Sequence, residues 1–331
     1  MSGLWLLLRF ALALPWLLLK VTTRKLFGYL PRQWPWSFAL VVEALRFFVA
    51  ASMAPLLAGT KLNMPSPKLP KRLQSQTEQR TGQLAGRDIE WQWPRGAQPK
   101  RCILYLHGGA FVTGSIGTHR ALMAHLAHAA QARVMGLDYR LAPEHQFPAG
   151  LEDCIAAWQE LLASGERPEQ LAIAGDSAGG GLTAATLLAL KERGLPLPAA
   201  AWLLSPAVDL TDQRPSWQNN APFDYLSPML GHLDEFVPAY LGQADPLQPL
   251  ASPIRGDLAG LPPLLIHVGE REVLHDQVVA YAEQARLAGV DVTLVVGANM
   301  VHVYPAFVGL VPQAAQAVAE AGAFLQAHLP G

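Results

Sequence analysis

Apolar and polar positions along most of the chain follow two alternating periods, short strand-like runs separated by stretches of helical spacing. Residues 88–93 alternate one by one, the pattern of a strand with one covered face. Residues 101–106 are a compact apolar run that suits a strand buried on both faces. Residues 133–139, 171–174, 200–204, 263–268 and 290–296 read as further strands. Between and after them, residues 118–131, 150–164, 178–193 and 276–288 carry helical spacing, and an alanine-rich helix over 313–328 closes the chain. Strands alternating with helices predict an α/β fold, a mostly parallel sheet covered on both faces. The rhythm breaks over 209–260, a stretch rich in proline and aromatic residues, which reads as an insertion above the strand ends.

The first 60 or so residues follow another pattern. Residues 4–19 are strongly apolar but contain Arg9 and Pro15, and the run is short for a bilayer span, which takes about 20 residues. A second apolar run, 37–58, carries Glu43 and Arg46 at i,i+3 spacing and reads as an amphipathic helix rather than a span. The expected organisation is an N-terminal helical segment over 1–65, a short proline-rich hinge at 65–70, and an α/β domain over 75–331 with the 209–260 insertion as part of its cap.

Composition narrows this picture. With 331 residues, 51% of them hydrophobic, the chain can bury one large α/β core with an appendage. A net charge of −1 argues against a nucleic acid partner. Cys102 and Cys154 sit in apolar contexts with no C-x-x-C or zinc spacing, so both read as small buried side chains, with no metal and no disulfide framework. The local charge is less even. Arg9, Lys20, Arg24, Lys25 and Arg32 all precede the first acid, Glu43, and Trp5, Trp16, Trp34 and Trp36 are interleaved with them. Cations and tryptophans around apolar helices suit contact of residues 1–58 with an anionic membrane surface; the competing reading is that both helices simply cap the α/β domain. The segment lacks the leading positive charges and small-residue cleavage site of a secretory signal, so the expected location is cytoplasmic or the cytoplasmic face of a membrane.

The chemistry centres on Gly175-Asp176-Ser177-Ala178-Gly179, which is G-x-S-x-G between a strand and a helix. Such a turn holds its serine on strained backbone at the top of a sheet, as a nucleophile. Asp176 is expected to point away from that serine and is not the acid that would orient a base. A serine attacking a carbonyl needs N–H donors for the developing oxyanion. Gly108 and Gly109, directly after the buried 101–106 run, are placed to give two, and Ala178 a third. Of ten histidines, His302 is the candidate base, because its loop follows the last strand and opens on the edge of the sheet where the serine turn lies. His275 comes too early in the chain, His267 is within a strand, and His119, His125 and His128 fall on a helix. The acid should follow the 263–268 strand, where Glu270, Glu272 and Asp276 compete; spacing does not separate them, although Asp276 also suits a helix N-cap.

Taken together, these segments resemble the hormone-sensitive-lipase-like family of α/β-hydrolase esterases. His107-Gly108-Gly109-Ala110-Phe111 is similar to its H-G-G-G-[FW] oxyanion motif, with Ala110 in place of the third glycine. Gly175-Asp176-Ser177-Ala178-Gly179-Gly180 matches its nucleophile motif, and residues 138–149 match the segment it carries between the two. Ala251-Ser252-Pro253 and Leu261-Pro262-Pro263 also look familial. The resemblance covers roughly residues 75–328 and implies an α/β-hydrolase fold, a Ser177–His302 pair with Glu272 as the acid and Asp276 as the alternative, and no cofactor. It implies a small carboxylic ester or lipid substrate of short to medium acyl length, and pairing of subunits through the last strand and helix. Amidase, deacetylase and acyltransferase chemistry would use the same three residues, and a non-catalytic ligand receptor on this fold would lack one of them. In the 138–149 segment, Arg140, Glu144 and Asp153 are expected to form a polar network that fixes the loop rather than to act chemically.

Overall fold

A computed structural model describes residues 3–60 and 66–331, with side chains from Arg9 onward. Trp5 and the start of the proline-rich hinge, Pro65, lie outside the described side chains. Eight strands form one sheet: β1 (Thr77–Leu84), β2 (Arg87–Pro94), β3 (Cys102–Leu106), β4 (Arg133–Leu137), β5 (Leu171–Asp176), β6 (Ala200–Leu204), β7 (Leu264–Gly269) and β8 (Val292–Gly297). Their spatial order is β1-β2-β4-β3-β5-β6-β7-β8. β1 pairs with β2, and β2 with β4, antiparallel; the rest of the sheet is parallel. β1 is a strand that the hydrophobic pattern did not predict. Its sequence is polar because it is an edge strand with most side chains exposed. It is joined to β2 through Ala85 and Gly86, both at positive φ, the backbone of a tight two-residue hairpin.

The helices are α1 (Gly3–Leu26), α2 (Trp36–Leu57), α3 (Lys71–Gln76), α4 (Ile116–Ala130), α5 (Ala149–Ala163), α6 (Ala178–Glu192), α7 (Ser216–Asn219), α8 (Leu233–Leu241), α9 (His275–Leu287) and α10 (Pro312–His328). The fully buried β3 explains why the central strands read as unbroken apolar runs. Leu104 and Leu106 face a core shared with α5, α6 and α9, through Trp158, Leu182 and Tyr281. Ile103 and Tyr105 face the opposite core, with Leu126 of α4 and Leu325 of α10.

A third core joins the N-terminal helices to the loop after β8. Val21, Leu30, Trp34, Phe38 and Val42 pack against Met300, Val301 and Tyr304. Trp34 Nε1 also donates to the Asn299 carbonyl at 2.7 Å. α1 runs on through Pro15 well past the apolar stretch, and is tied to α2 by Lys20 and Arg24, both paired with the buried Glu43. α2 is the one helix among the described residues long and apolar enough to cross a membrane by length and composition. The 209–260 stretch contributes no strand and folds as α7, α8 and short 3₁₀ turns.

Candidate active site

β5 ends at Asp176 and α6 begins at Ala178, so the turn consists of Ser177 alone. Its φ of 53° and ψ of −119° are unusual for a residue with a side chain and cost of order 1–3 kcal/mol. The neighbouring strand overdetermines that conformation. Ser177 N donates to Leu204 O at 2.8 Å, and Ser177 O accepts from Ala207 N at 3.0 Å and Gly181 N at 2.9 Å. Glycine is obligatory on either side: a Cβ on Gly175 would lie 2.4 Å from Gly179 O, and one on Gly179 2.0 Å from Leu106 O.

Asp176 is turned toward the loop after β3. It accepts from Tyr105 OH at 2.6 Å and from Gly108 N at 3.1 Å, and its other oxygen lies 3.2 Å from His119 Nε2. Burial alone would raise the Asp176 pKa and lower that of His119. Their mutual attraction outweighs it, so the acid is held below and the imidazole above the ordinary value. His119 is thus a satisfied buried partner. The expected oxyanion donors, Gly108, Gly109 and Ala178, differ in their surroundings. The Gly108 N–H is committed to Asp176, whereas Gly109, Ala110 and Ala178 have backbone N–H groups with no acceptor among the described residues, and all three line the cavity above Ser177. Gly109 at φ 132°, Ala110 at φ 53° and Phe111 at φ 60° make a left-handed turn that presents those groups. A Cβ on Gly109 would fall 2.1 Å from Thr113 O. Ala110, where the family motif has glycine, holds this backbone at a cost of roughly 1–2 kcal/mol.

His302 is 2% exposed and Glu272 fully buried. His302 Nδ1 and Glu272 Oε1 are 3.9 Å apart, and neither atom has another hydrogen-bond partner among the described residues. The separation is long for a hydrogen bond and closes with about 1 Å of adjustment, as in many catalytic pairs before substrate binds. Glu272 Oε2 is fixed by Ser205 Oγ at 2.7 Å and Gly269 N at 3.0 Å, and Ser205 Oγ in turn accepts from Val303 N at 3.0 Å. Ser205 therefore stitches the acid loop to the histidine loop. Burial pushes His302 down, but Glu272, Asp224 and Asp176 together hold its pKa above the ordinary imidazole value. His302 Nε2 makes no hydrogen bond and, like Ser177, belongs to the cavity wall.

Asp276 is engaged elsewhere. α9 starts at His275, so Asp276 lies in its first turn rather than capping it; the carboxylate accepts from Ser216 N at 2.9 Å and lies 2.9 Å from His275 Nδ1. His267 is buried between Trp202 Nε1 and Glu320. Arg140 grips Asp153 through Nε at 2.9 Å and Nη2 at 2.8 Å, with Glu144 at the exposed side of that loop. Among the described residues no cluster of His, Cys, Asp and Glu is arranged to hold a metal ion.

Three residues of the insertion carry contacts that sequence reasoning missed. Asn220 Nδ2 donates to the carbonyls of Glu270 and Glu272, the buried Asp224 accepts from Val273 N, and Tyr225 OH donates to His302 O. Nothing in the sequence set them apart from the other polar and aromatic residues of that stretch. The cavity itself has a volume of about 410 Å³. Leu45, Val49, Met53 and Leu56 of α2 form one wall and Trp217, Tyr225 and Phe236 of the insertion another. Tyr240 stacks on Phe111, and Phe223 lies under Arg271.

A serine on a strained turn after a central parallel strand, sharing a largely apolar cavity with a buried histidine, fits a serine hydrolase of the α/β class. The chain belongs to the alpha/beta hydrolase fold family, whose sequence pattern matches residues 103–306, and within it to the hormone-sensitive-lipase-like esterases. It is 44% identical to an acetyl-hydrolase of Streptomyces hygroscopicus over 71% of this chain and 79% of that one. It is 32% identical to the esterase LipU of Mycobacterium tuberculosis over 90% of this chain and 95% of that one. A crystal structure of an esterase from the bacterial hormone-sensitive lipase family superimposes with a TM-score of 0.77 at 38% identity, covering 87% of this chain and 98% of the other. The protein is a carboxylic ester hydrolase.

Proposed function

We propose that the protein cleaves esters of short to medium acyl chain through an acyl-enzyme on Ser177. The observation that carries this reading is the buried His302, whose Nδ1 lies 3.9 Å from Glu272 Oε1 and whose Nε2, with no hydrogen-bond partner among the described residues, shares a cavity with Ser177. His302 takes the Ser177 proton as Oγ attacks the carbonyl, and Glu272 stabilises the imidazolium. The N–H groups of Gly109, Ala110 and Ala178 hold the oxyanion. The alcohol leaves with the proton from His302, and water then cleaves the acyl-enzyme by the same route. The test is a series of p-nitrophenyl esters from acetate to laurate, beside Met53→Trp. The wild type should favour short to medium chains, and narrowing the α2 wall should move the optimum to shorter ones. A folded enzyme inert on every ester but active on amides or in acyl transfer would assign it to those chemistries instead.

A second reading concerns location. Leu12, Trp16, Leu19, Leu26, Phe27, Tyr29 and Trp36 are all exposed, with Lys20 over the Trp16 ring and Lys25 over that of Trp36. We infer that α1 and the turn after it rest on an anionic membrane surface, on its cytoplasmic side. Sedimentation with phosphatidylglycerol vesicles should carry the protein down, and Trp16→Ser with Phe27→Ser should release it; equal behaviour of the variant, or no binding, removes the reading. For assembly, the open edge of β8 is the surface through which two copies would pair, and analytical ultracentrifugation distinguishes dimer from monomer.

A further inference from the structure

We propose that Asp224 is a positioning residue for the Glu272–His302 pair, binding the acid loop from the insertion and setting a second negative charge beside the imidazole. This rests on the serine-esterase reading above. Asp224 is fully buried. Its Oδ2 accepts from Val273 N, directly after Glu272, at 2.7 Å, and its Oδ1 accepts from Leu226 N at 3.3 Å. The next residue, Tyr225, donates to His302 O at 3.0 Å and sets its ring edge-on to the imidazole, with centroids 5.9 Å apart. Asp224 therefore lies in the short segment that touches both catalytic loops.

The two backbone donors go to different carboxylate oxygens, so an asparagine, with one acceptor oxygen, would turn its amide N–H toward one of them. A carboxylate also sets a charge in this segment. The charged groups around Asp224 are His302, Glu272 and Arg46 of α2. Arg46 is drawn to the same segment, since its Nη2 donates to Pro222 O at 2.8 Å. Burial pushes the Asp224 carboxyl up to about 6, while His302 favours its charged form and Glu272 opposes it; as His302 becomes an imidazolium during turnover that attraction strengthens. In the transition state the imidazole becomes positive, and a fixed anion nearby lowers the energy of that form. Asp224 does not line the cavity, so it acts through His302 and Glu272 and not on the substrate.

The test compares pH profiles of wild type, Asp224→Asn, Asp224→Glu and Asn220→Ala, with Ser177→Ala as the control. Removing an anion beside an imidazolium lowers the imidazole pKa. In Asp224→Asn the acid limb of kcat/KM should therefore move to lower pH by about one unit, with plateau kcat down about tenfold and KM within roughly twofold. Asn220→Ala loosens the same loop by removing neutral bonds to Glu270 O and Glu272 O. It should lower kcat and leave the acid limb in place. An acid limb unmoved in folded Asp224→Asn, or moved equally in Asn220→Ala, overturns the proposal. Should Asp224→Asn not fold, Asp224→Glu decides: a wild-type acid limb with reduced kcat supports the charge role, and a limb moved to lower pH contradicts it. Retained activity in Ser177→Ala would instead overturn the esterase mechanism itself.

Discussion

Glu272 and Asp276 sit in one short loop, and the residues around them give them different work. Glu272 is buried against His302 with one oxygen fixed and the other free for Nδ1. Asp276 ties the start of α9 to α7 through Ser216. Glu272→Gln should therefore lower kcat by about 10³–10⁴ with little change in stability. Asp276→Asn should leave kcat within roughly tenfold and cost about 1 kcal/mol, read from the urea midpoint. The wild-type pH profile belongs to the same scale. The base must be neutral, and its pKa is held above the ordinary imidazole value, so activity should rise with pH through a midpoint above about 6.5. A midpoint below that value would mean that burial outweighs the carboxylates. At this scale the sequence showed what motifs carry. That Ser177 and His302 would meet at one cavity was legible from a turn flanked by close-packed glycines and from a loop on the same sheet edge. The oxyanion donors were less legible, because nothing in His107-Gly108-Gly109 says that Asp176 will take the first glycine's N–H. Ser205 and Asp224 were not legible at all, since a serine after a strand and an aspartate in a loop are common and their roles exist only through long-range contacts.

Among elements, the N-terminal helices do more than cover the site. α2 supplies a wall of the cavity, and the segment between α1 and α2 packs beneath the histidine loop. Trp34 is the anchor, almost fully buried and bonded to Asn299 O. Trp34→Ala should cost about 3–5 kcal/mol and depress kcat beyond what partial unfolding explains. Trp34→Phe keeps much of the packing and should cost about 1 kcal/mol for the lost bond. Thermal melts beside kcat on the folded fraction check both. Hydrophobic periodicity found the central parallel strands to within a few residues because β3, β5, β6 and β7 are buried on both faces. It missed β1 because an edge strand that faces water has no apolar period to show. It read α1 as shorter than it is, because the later turns of that helix carry Thr22, Thr23, Arg24 and Lys25.

At the scale of the molecule, the sequence suggests an N-terminal segment set apart by its composition, yet that segment shares a core with the catalytic loops. A chain starting after α2 would expose Met300, Val301 and Tyr304 and lose one cavity wall. It should express as insoluble or inactive protein; a soluble truncated chain with wild-type turnover would show that the helices are dispensable. The same helices turn apolar side chains outward, which links the proposed membrane contact to the cavity through α2. The most direct test of the whole account is covalent trapping. Wild type and Ser177→Ala would be mixed with a p-nitrophenyl ester while p-nitrophenol is followed, and the quenched protein mapped by peptide mass spectrometry. The account predicts release of p-nitrophenol and an acyl group on the peptide containing Ser177, with both absent from the variant. Undiminished turnover in Ser177→Ala, or an acyl group on another residue, would contradict it.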